Sequence, residues 1–235
     1  MISKELLVQS CEIMGIKISS EAIERFDKYA ELLVDYNNKV NLTAITAPDE
    51  IVIKHFVDSL CLTKYVDISG KRVIDVGTGA GFPGAALLCA YPESDITMID
   101  SVNKKLDFIR FLIKEIGLQG NVITIRAEDA AKKPEFREKY DIVTSRAVAS
   151  LNVLSEYSIP LVKVGGLFTP LKAVLSKEED SRGCSAIANL GAKVKNKYKY
   201  AIPDGSEREI IIAEKISQTS PKYPRAYAQI SKKPL

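Results

Sequence analysis

The pattern of hydrophobic residues along the chain changes at residue 72. From there on, short runs rich in β-branched residues alternate with helical stretches of about a dozen residues. This alternation is typical of parallel strands joined by crossover helices, and it predicts an α/β domain over residues 67–235. The predicted strands are Arg72–Val76, Asp95–Ile99, Val122–Ile125, Asp141–Ser145 and Gly166–Leu171.

The end of the chain predicts a hairpin. Lys193–Tyr200 and Glu209–Ala213 are both strand-like, and they flank the turn sequence Pro203-Asp204-Gly205-Ser206. Five crossover strands followed by a hairpin match a Rossmann-like sheet of seven strands, in which the last strand runs antiparallel to its neighbours.

Residues 1–66 predict a helical cap in front of this domain. Helices are expected over residues 3–14 and 20–37, and a third from Pro48, where a missing N–H costs nothing, to about Lys64. In the second helix, Ile23, Phe26, Ala30 and Leu33 follow helical spacing and predict one buried face.

Composition limits the classes of protein that fit. Hydrophobic residues make up 46% of the chain and charged residues 27%, which is ordinary for a folded globular protein. The four cysteines form no CxxC pair and there is one histidine, so no metal site is expected and the thiols are expected to be reduced. Charges near Met1 argue against a secretory signal, and no uncharged run could cross a bilayer, which predicts a cytoplasmic protein without a membrane partner.

Positive charge is concentrated late in the chain. Residues 151–235 hold 14 lysines and arginines against 8 aspartates and glutamates, whereas residues 1–150 are net negative. The excess suits a polyanionic partner, although it also fits a solvated lysine-rich face.

The strongest local signal is a glycine loop directly after the first strand. Val73–Phe82 runs from a strand through Gly77, Gly79 and Gly81, and glycine is needed where a ligand approaches the backbone closely. Gly79–Gly84 formally satisfies GxGxxG, but in the dinucleotide fingerprint the first glycine follows the strand directly, a place that Gly77 holds, and the third would then fall on Phe82. The loop therefore favours S-adenosyl-L-methionine over NAD.

Two further strand ends support a nucleoside site. Asp100 ends the second strand, where an acidic side chain accepts hydrogen bonds from ribose hydroxyls; the simpler alternative is a cap on the next helix. Arg126-Ala127-Glu128 follows the third strand, where the crevice would receive the adenine.

Two motifs that are missing from the sequence limit which atom can accept the methyl group. Thr144-Ser145-Arg146-Ala147 stands where enzymes that methylate exocyclic amines usually carry an Asn/Asp-Pro-Pro-aromatic motif. No cysteine follows a proline, as methylation of a pyrimidine ring carbon typically requires. The remaining acceptors are an oxygen, which generally needs a base, and a nitrogen with a free lone pair such as guanine N7, for which catalysis is mainly positioning.

Two cations end the next strands. Arg146 follows the fourth strand and Lys172 the fifth, so both are predicted to face the crevice and to position the acceptor, with no residue acting as acid or base. We expect Arg146 to contact guanine O6, a phosphate or the cofactor carboxylate, because N7 must stay free. The alternatives are an Arg146–carboxylate pair and a solvated Lys172.

These residues together resemble the bacterial 16S ribosomal RNA (guanine-N7) methyltransferases of the small subunit, the glucose-inhibited division protein B family. The likeness extends over essentially the whole chain and rests on Asn41-Leu42-Thr43, Lys54–Leu60, Asp75–Gly84, Asp100-Ser101 with Lys104, Arg126-Ala127-Glu128, Ser145–Ala149, Leu171-Lys172 and Lys222-Tyr223-Pro224-Arg225.

The resemblance implies a class I methyltransferase that binds S-adenosylmethionine and acts on 16S ribosomal RNA or the small ribosomal subunit. His55 lies in one of the matching motifs, but a lone histidine on a helix is usually structural, so it is expected to have no catalytic role. Cofactor contacts are expected from Gly77, Gly79, Gly81, Phe82, Asp100, Ala127, Glu128 and Arg146, and substrate contacts from Lys104, Arg126, Lys172 and Arg225. Two stretches near the end are expected to be extended and basic, suited to phosphate contacts: Lys222-Tyr223-Pro224-Arg225 and Ser231-Lys232-Lys233-Pro234. A monomer is expected. Ala226–Gln229 stands where the family would have a more basic, glycine-containing stretch.

Overall fold

A seven-stranded sheet forms the centre of the protein, and the computed structural model describes it with all of residues 1–235. The strands are β1 (Arg72–Val76), β2 (Asp95–Asp100), β3 (Asn121–Thr124), β4 (Tyr140–Arg146), β5 (Val162–Ala173), β6 (Ala192–Ala201) and β7 (Glu207–Lys215). Their order is β3-β2-β1-β4-β5-β7-β6. The first five strands are parallel and β7 is antiparallel to both neighbours, which confirms the predicted sheet and hairpin.

Helices cover both faces of this sheet. They are α1 (Lys4–Ile13), α2 (Ser20–Asn37), α3 (Pro48–Glu50), α4 (Asp58–Leu60), α5 (Gly84–Ala90), α6 (Asn103–Glu115), α7 (Ala127–Ala130), α8 (Leu151–Ser158), α9 (Lys177–Asn189) and α10 (Tyr227–Lys232). A π-helical stretch, Ile51–Val57, and a 3-10 turn, Cys61–Lys64, join α3 and α4 into one helical segment over residues 48–64, as predicted. None of these helices is both long enough and apolar enough to cross a bilayer.

Both N-terminal helices begin at a serine cap. The hydroxyl of Ser3 accepts a hydrogen bond from the N–H of Leu6, and that of Ser19 accepts one from Ala22, so each helix has a capped amino end. Phe26, Tyr29 and Phe56 are fully buried in the larger hydrophobic cluster, which also contains α5 and α6 side chains. The core therefore runs across residue 66, the boundary predicted between cap and domain.

The fifth strand is longer than predicted. It begins at Val162 rather than Gly166, because residues 163–166 bulge between the pairs Tyr140–Val162 and Ile142–Leu167. Gly165 adopts a φ of 84° in this bulge, a conformation that disfavours residues with a side chain.

The C-terminal tail corrects an expectation. The stretch Ser231–Pro234 is predicted to be extended, but Ser231 and Lys232 form the last residues of α10 (Tyr227–Lys232). The side-chain oxygen of Gln229 accepts from the N–H of Ala226 at the helix start, and Ile230 is fully buried against the domain. An apolar anchor inside a polar stretch thus turns part of the tail into a docked helix.

Candidate active site

A cavity of about 690 Å³ opens at the carboxyl ends of β1 to β4. A volume in this range is usual for small-molecule sites, and this edge is where parallel sheets bind ligands. It is lined by residues 76–80 and Phe82 after β1, 99–101 and Lys105 around β2, 125–128 after β3, 146–149 after β4, and by Leu42, Thr43, His55, Val153, Tyr157, Tyr227 and Ser231.

The three glycines of the loop have different tasks. Gly77 and Gly79 line the cavity with φ of 70° and 58°, and a Cβ on Gly79 would meet no atom closer than 4.0 Å. Gly81 does not line the cavity but packs against α2 and α5, where a Cβ would collide with the Tyr29 hydroxyl and with Ala85. The structure therefore gives Gly81 a packing task where the sequence predicted a cofactor contact.

The N-terminal helices hold this loop in place. The buried Tyr29 hydroxyl of α2 donates to the carbonyl of Ala80 at 2.6 Å. The ring of Phe82 stacks on Tyr29, with centroids 5.3 Å apart, and on His55, with centroids 4.2 Å apart. The helical cap is thus part of the site, since it fixes the loop that lines the cavity.

Asp100 both ties the loop and borders the cavity. Its Oδ2 accepts from the N–H of Gly79 at 3.0 Å, and its Oδ1 accepts from Val102 at 2.9 Å, just before α6. Each carboxylate oxygen can accept more than one hydrogen bond, so ribose hydroxyls can still be bound. The capping alternative and the predicted ribose contact are therefore compatible.

One buried acceptor in the cavity wall has no hydrogen bond. Glu128 is 5% exposed, and its Oε1 is 3.7 Å from the Arg126 guanidinium, too far for a hydrogen bond. Because buried polar atoms are nearly always hydrogen-bonded, this atom indicates that a ligand completes the wall.

Asp75 lies beneath the loop rather than in the cavity. Its Oδ2 accepts from the N–H of Gly84 at 2.8 Å, which fixes the start of α5. Complete burial raises the pKa of this carboxyl to about 6.

Arg146 is held from the π-helical stretch. Its Nη1 donates to the carbonyl of Lys54 at 2.7 Å and to the Asp58 carboxylate at 3.0 Å, and its Nη2 donates to Nδ1 of His55 at 2.8 Å. The predicted alternative of a carboxylate pair is therefore present, and yet Arg146 also borders the cavity with its guanidinium 5.0 Å from the Phe82 ring.

His55 is neutral and fully engaged. A guanidinium can only donate, so Nδ1 accepts and Nε2 carries the proton toward the Thr43 hydroxyl at 3.0 Å. Burial, followed by the neighbouring Arg146 charge, lowers the pKa of the imidazole to about 3. With both nitrogens bonded, His55 positions Arg146 and has no free lone pair to act as a base.

A second cavity of about 500 Å³ adjoins the first across His55, Arg146 and Ala147. Lys172 lines this second cavity and not the first. Its ammonium donates to the carbonyl of Ala149 at 2.7 Å and pairs with Glu179 at 3.0 Å, so it fixes the loop after β4. The remaining lining residues are Ile45, Lys54, Asp58, Leu171, residues 173–175 and Arg208.

Other predicted contacts are placed differently. Lys104 is exposed outside the cavity, whereas its neighbour Lys105 lines it. Arg225 is turned inward, where its backbone and Nε donate to Oε1 of Glu156 at 2.9 and 2.8 Å and its Nη2 to Oε2 at 2.6 Å. The buried carboxylate of Glu156 thus engages the guanidinium that the sequence assigned to RNA.

The sequence reasoning missed several lining residues, chiefly Lys105, Tyr157 and Tyr227. For Lys105 the signal was present, since it lies in the first turn of α6 beside Asp100. Tyr227 is remote in sequence from the strand ends, and only the docking of α10 brings it to the cavity.

Known structures share this architecture. A branched-chain polyamine synthase from Thermus thermophilus, solved with 5′-methylthioadenosine, matches 82% of this chain and 64% of its own with a TM-score of 0.60 at 12% identity. An SAM-dependent O-methyltransferase from Thermotoga maritima matches 80% and 72% with a TM-score of 0.53 at 16% identity. At these identities the likeness concerns the fold.

Sequence relatives are much closer. The family model described as rRNA small subunit methyltransferase G matches residues 22–210. Proteins named ribosomal RNA small subunit methyltransferase G are 46% identical over 224 residues in Desulfitobacterium hafniense, with 94% of this chain and 93% of the relative covered, and 42% identical over 236 residues in Staphylococcus epidermidis, with 100% and 99% covered. Together with the sheet order and the glycine loop, these matches mean that the chain belongs to the rRNA small subunit methyltransferase G family.

Proposed function

We propose that this protein transfers a methyl group from S-adenosylmethionine to N7 of a guanine in 16S ribosomal RNA. The observation that carries the proposal is the pair of adjoining cavities that share His55, Arg146 and Ala147. One has the features of a nucleoside site, and the other opens beside it at the ends of β4 and β5. Their common wall is where donor and acceptor would meet.

The residues around the first cavity fit the cofactor. Gly79 leaves room for a ligand against the backbone, and Gly77 lines the same cavity. Asp100 offers carboxylate oxygens at the end of β2, and Glu128 offers an acceptor without a hydrogen bond after β3. When bound, the cofactor supplies a methyl group on a sulfonium, which is already an electrophile. The protein then has to hold the two reactants in line.

The second cavity suits the acceptor nucleotide. Arg146 and Ala147 face it from the end of β4, and Lys54 and Arg208 add positive charge to its wall. A guanine N7 needs no general base, which agrees with a His55 that is neutral and bonded at both nitrogens. Neither cavity is lined by a cysteine, so no side chain is available for covalent attack on a ring carbon.

Contacts to the RNA backbone are assigned to exposed cations around the cavity mouths. Lys104 is exposed at the start of α6, and the Arg126 side chain is 54% exposed at the rim. Lys172 positions the loop after β4 beside the acceptor through its bond to Ala149. Arg225 is proposed as an anchor of the tail, with RNA contact only as a secondary role.

The test is methyl transfer with a tritiated donor. Small subunits and naked 16S RNA from a strain that lacks the enzyme should incorporate one label, and mapping should place it at N7 of a guanine. Incorporation into neither substrate, or a label on another atom, would reject the proposal. The same assay compares naked RNA with the assembled particle.

A matched pair of glycine variants tests the cofactor loop. Gly79 and Gly117 have φ of 58° and 68°, and at both a Cβ would meet open space, so alanine imposes the same backbone strain. Only Gly79 lines the cavity. Calorimetry with S-adenosylhomocysteine should show weakened binding for Gly79→Ala and unchanged binding for Gly117→Ala. Equal behaviour of the two variants would argue against the loop as the cofactor site.

The alternative is a class I methyltransferase acting on another RNA, a protein or a small molecule. A small-molecule acceptor predicts a KM that is insensitive to salt, whereas RNA contacts weaken steeply with ionic strength. Lys104→Ala should lower the slope of log KM against log salt by about 1. Lys71→Ala, an exposed lysine at the amino end of β1 and thus at the opposite edge of the sheet, should leave that slope unchanged.

A further inference from the structure

One wall of the first cavity comes from the end of the chain. Tyr227 and Ser231 of α10 line it, and the ring centroid of Tyr227 lies 5.1 Å from the Arg126 guanidinium. Arg126 follows β3, so this wall stands at the end of the cavity opposite to Arg146 and the methyl acceptor. Tyr227 is 53% exposed, so its ring has a face open to the cavity mouth.

Although α10 is short, it is fixed at three points. Ile230 is fully buried, the Arg225 guanidinium is held by the buried Glu156, and the carbonyl of the terminal Leu235 accepts from Asn152 at 2.8 Å. Exposure of Tyr227 is therefore not a sign of a loose tail. The helix holds an aromatic ring at the mouth of the cavity.

The surroundings of this ring define what it can bind. Ile125 and Val153 add apolar lining to the cavity, and Glu128 places an Oε1 without a hydrogen bond in its buried wall. A flat heteroaromatic ring can lie against the tyrosine and the guanidinium, as both have planar faces. A carboxylate only accepts hydrogen bonds, so the edge of that ring must carry a donor such as an exocyclic amine.

We infer that Tyr227 closes over the adenine ring of the cofactor, while the 6-amino group of that ring donates to Oε1 of Glu128. The C-terminal helix is then a wall of the cofactor site and contributes to its preference for adenine. This inference rests on the proposed function, since it takes S-adenosylmethionine as the ligand. It gives a positioning task to a residue outside the strand ends.

The test is calorimetry on the full chain with two ligands, S-adenosylhomocysteine and S-inosylhomocysteine, in which an oxo group replaces the 6-amino group. Tyr227→Ala should raise the Kd of both ligands by about tenfold, the effect expected from losing one stacked aromatic ring. Tyr227→Phe should bind as the natural chain does, because the ring is kept. Lys232→Ala, an exposed change on the same helix outside the cavity, is the control.

The role of Glu128 is read from the ratio of the two affinities. The natural chain should prefer the adenosyl ligand, Glu128→Gln should lose or reverse that preference because an amide can donate to the oxo group, and Tyr227→Ala should keep it. An unchanged Kd in Tyr227→Ala would overturn the inference. If the KM for RNA rose instead, Tyr227 would stack on a base of the substrate. Failure of the natural chain to bind either ligand would reject the proposed function itself, which is a distinct result.

Discussion

Replacing Arg225 separates two tasks for one residue, tail anchoring and RNA contact. Glu156 is fully buried, and its carboxylate receives three hydrogen bonds from Arg225 at 2.6 to 2.9 Å. Arg225→Met removes two of them together with the only ion-pair partner of Glu156, leaving a buried charge. Breaking a buried pair in this way costs about 3–5 kcal/mol, and we expect the lower end because the Arg225 side chain is 24% exposed.

The free energy of unfolding, measured by urea titration at pH 7, should therefore fall by about 3 kcal/mol. The double variant Arg225→Met/Glu156→Gln should recover most of this loss, because the buried group is then neutral. A change within about 0.5 kcal/mol, the range of ordinary surface substitutions, would refute the anchoring role. If RNA affinity fell in the double variant although its stability was restored, the guanidinium would contact RNA.

Three further outcomes follow from the site. The unfolded chain protonates His55 below pH 6.5, whereas the folded protein does so only near pH 3, so the stability that neutral His55 provides is present above pH 6.5 and is lost as pH falls. Between pH 7 and 6 the free energy of unfolding of the natural chain should fall by about 0.7 kcal/mol more than that of His55→Gln, and parallel stability curves for the two proteins would contradict this. For Asp75 the sign is opposite: its pKa is raised from 3.8 to about 6, so the cost of ionising it in the folded protein grows between these values and is complete above pH 6. A shift of this size is worth about 3 kcal/mol, so Asp75→Asn should raise Tm by about 6–12 °C at pH 8 and little at pH 4, and a Tm gain independent of pH would count against it. Gly77→Ala should lower the free energy of unfolding by about 1–2 kcal/mol because of its φ of 70°, and it should also weaken S-adenosylhomocysteine binding because its Cβ would approach Val148 to 2.5 Å. Adding Val148→Ala should relieve only the collision, and the control Gly70→Ala, with a φ of 63° and open space around its Cβ, should lose stability without losing binding.

Much of the fold could be predicted because its signals are local. The β-branched runs, the helix caps and the turn at residues 203–206 each specify structure over a few residues, and parallel strands with crossovers leave few topologies. The bulge in β5 and the helix in the tail were not predictable in the same way. Both depend on partners distant in sequence, such as Tyr140 for Val162 and Glu156 for Arg225.

The same difference between local and long-range signals applies to the residues of the site. Gly77, Gly79, Asp100 and the triplet at residues 126–128 could be assigned because strand ends in a parallel sheet meet at one edge. Gly81 could not be separated from its neighbours, since its packing against Tyr29 involves a helix about 50 residues away.

Local residue patterns were enough to predict a parallel sheet with a glycine loop after its first strand, and to predict a ligand site at the carboxyl ends of the strands. Which cations face the cavities depends on the folded arrangement, because a charged side chain pairs with an opposite charge that is near in space and may be far along the chain. Thus Arg146 is held by Asp58 and His55, Lys172 by Glu179, and Arg225 by Glu156, while Tyr227 reaches the cavity on a helix that is docked by one buried isoleucine.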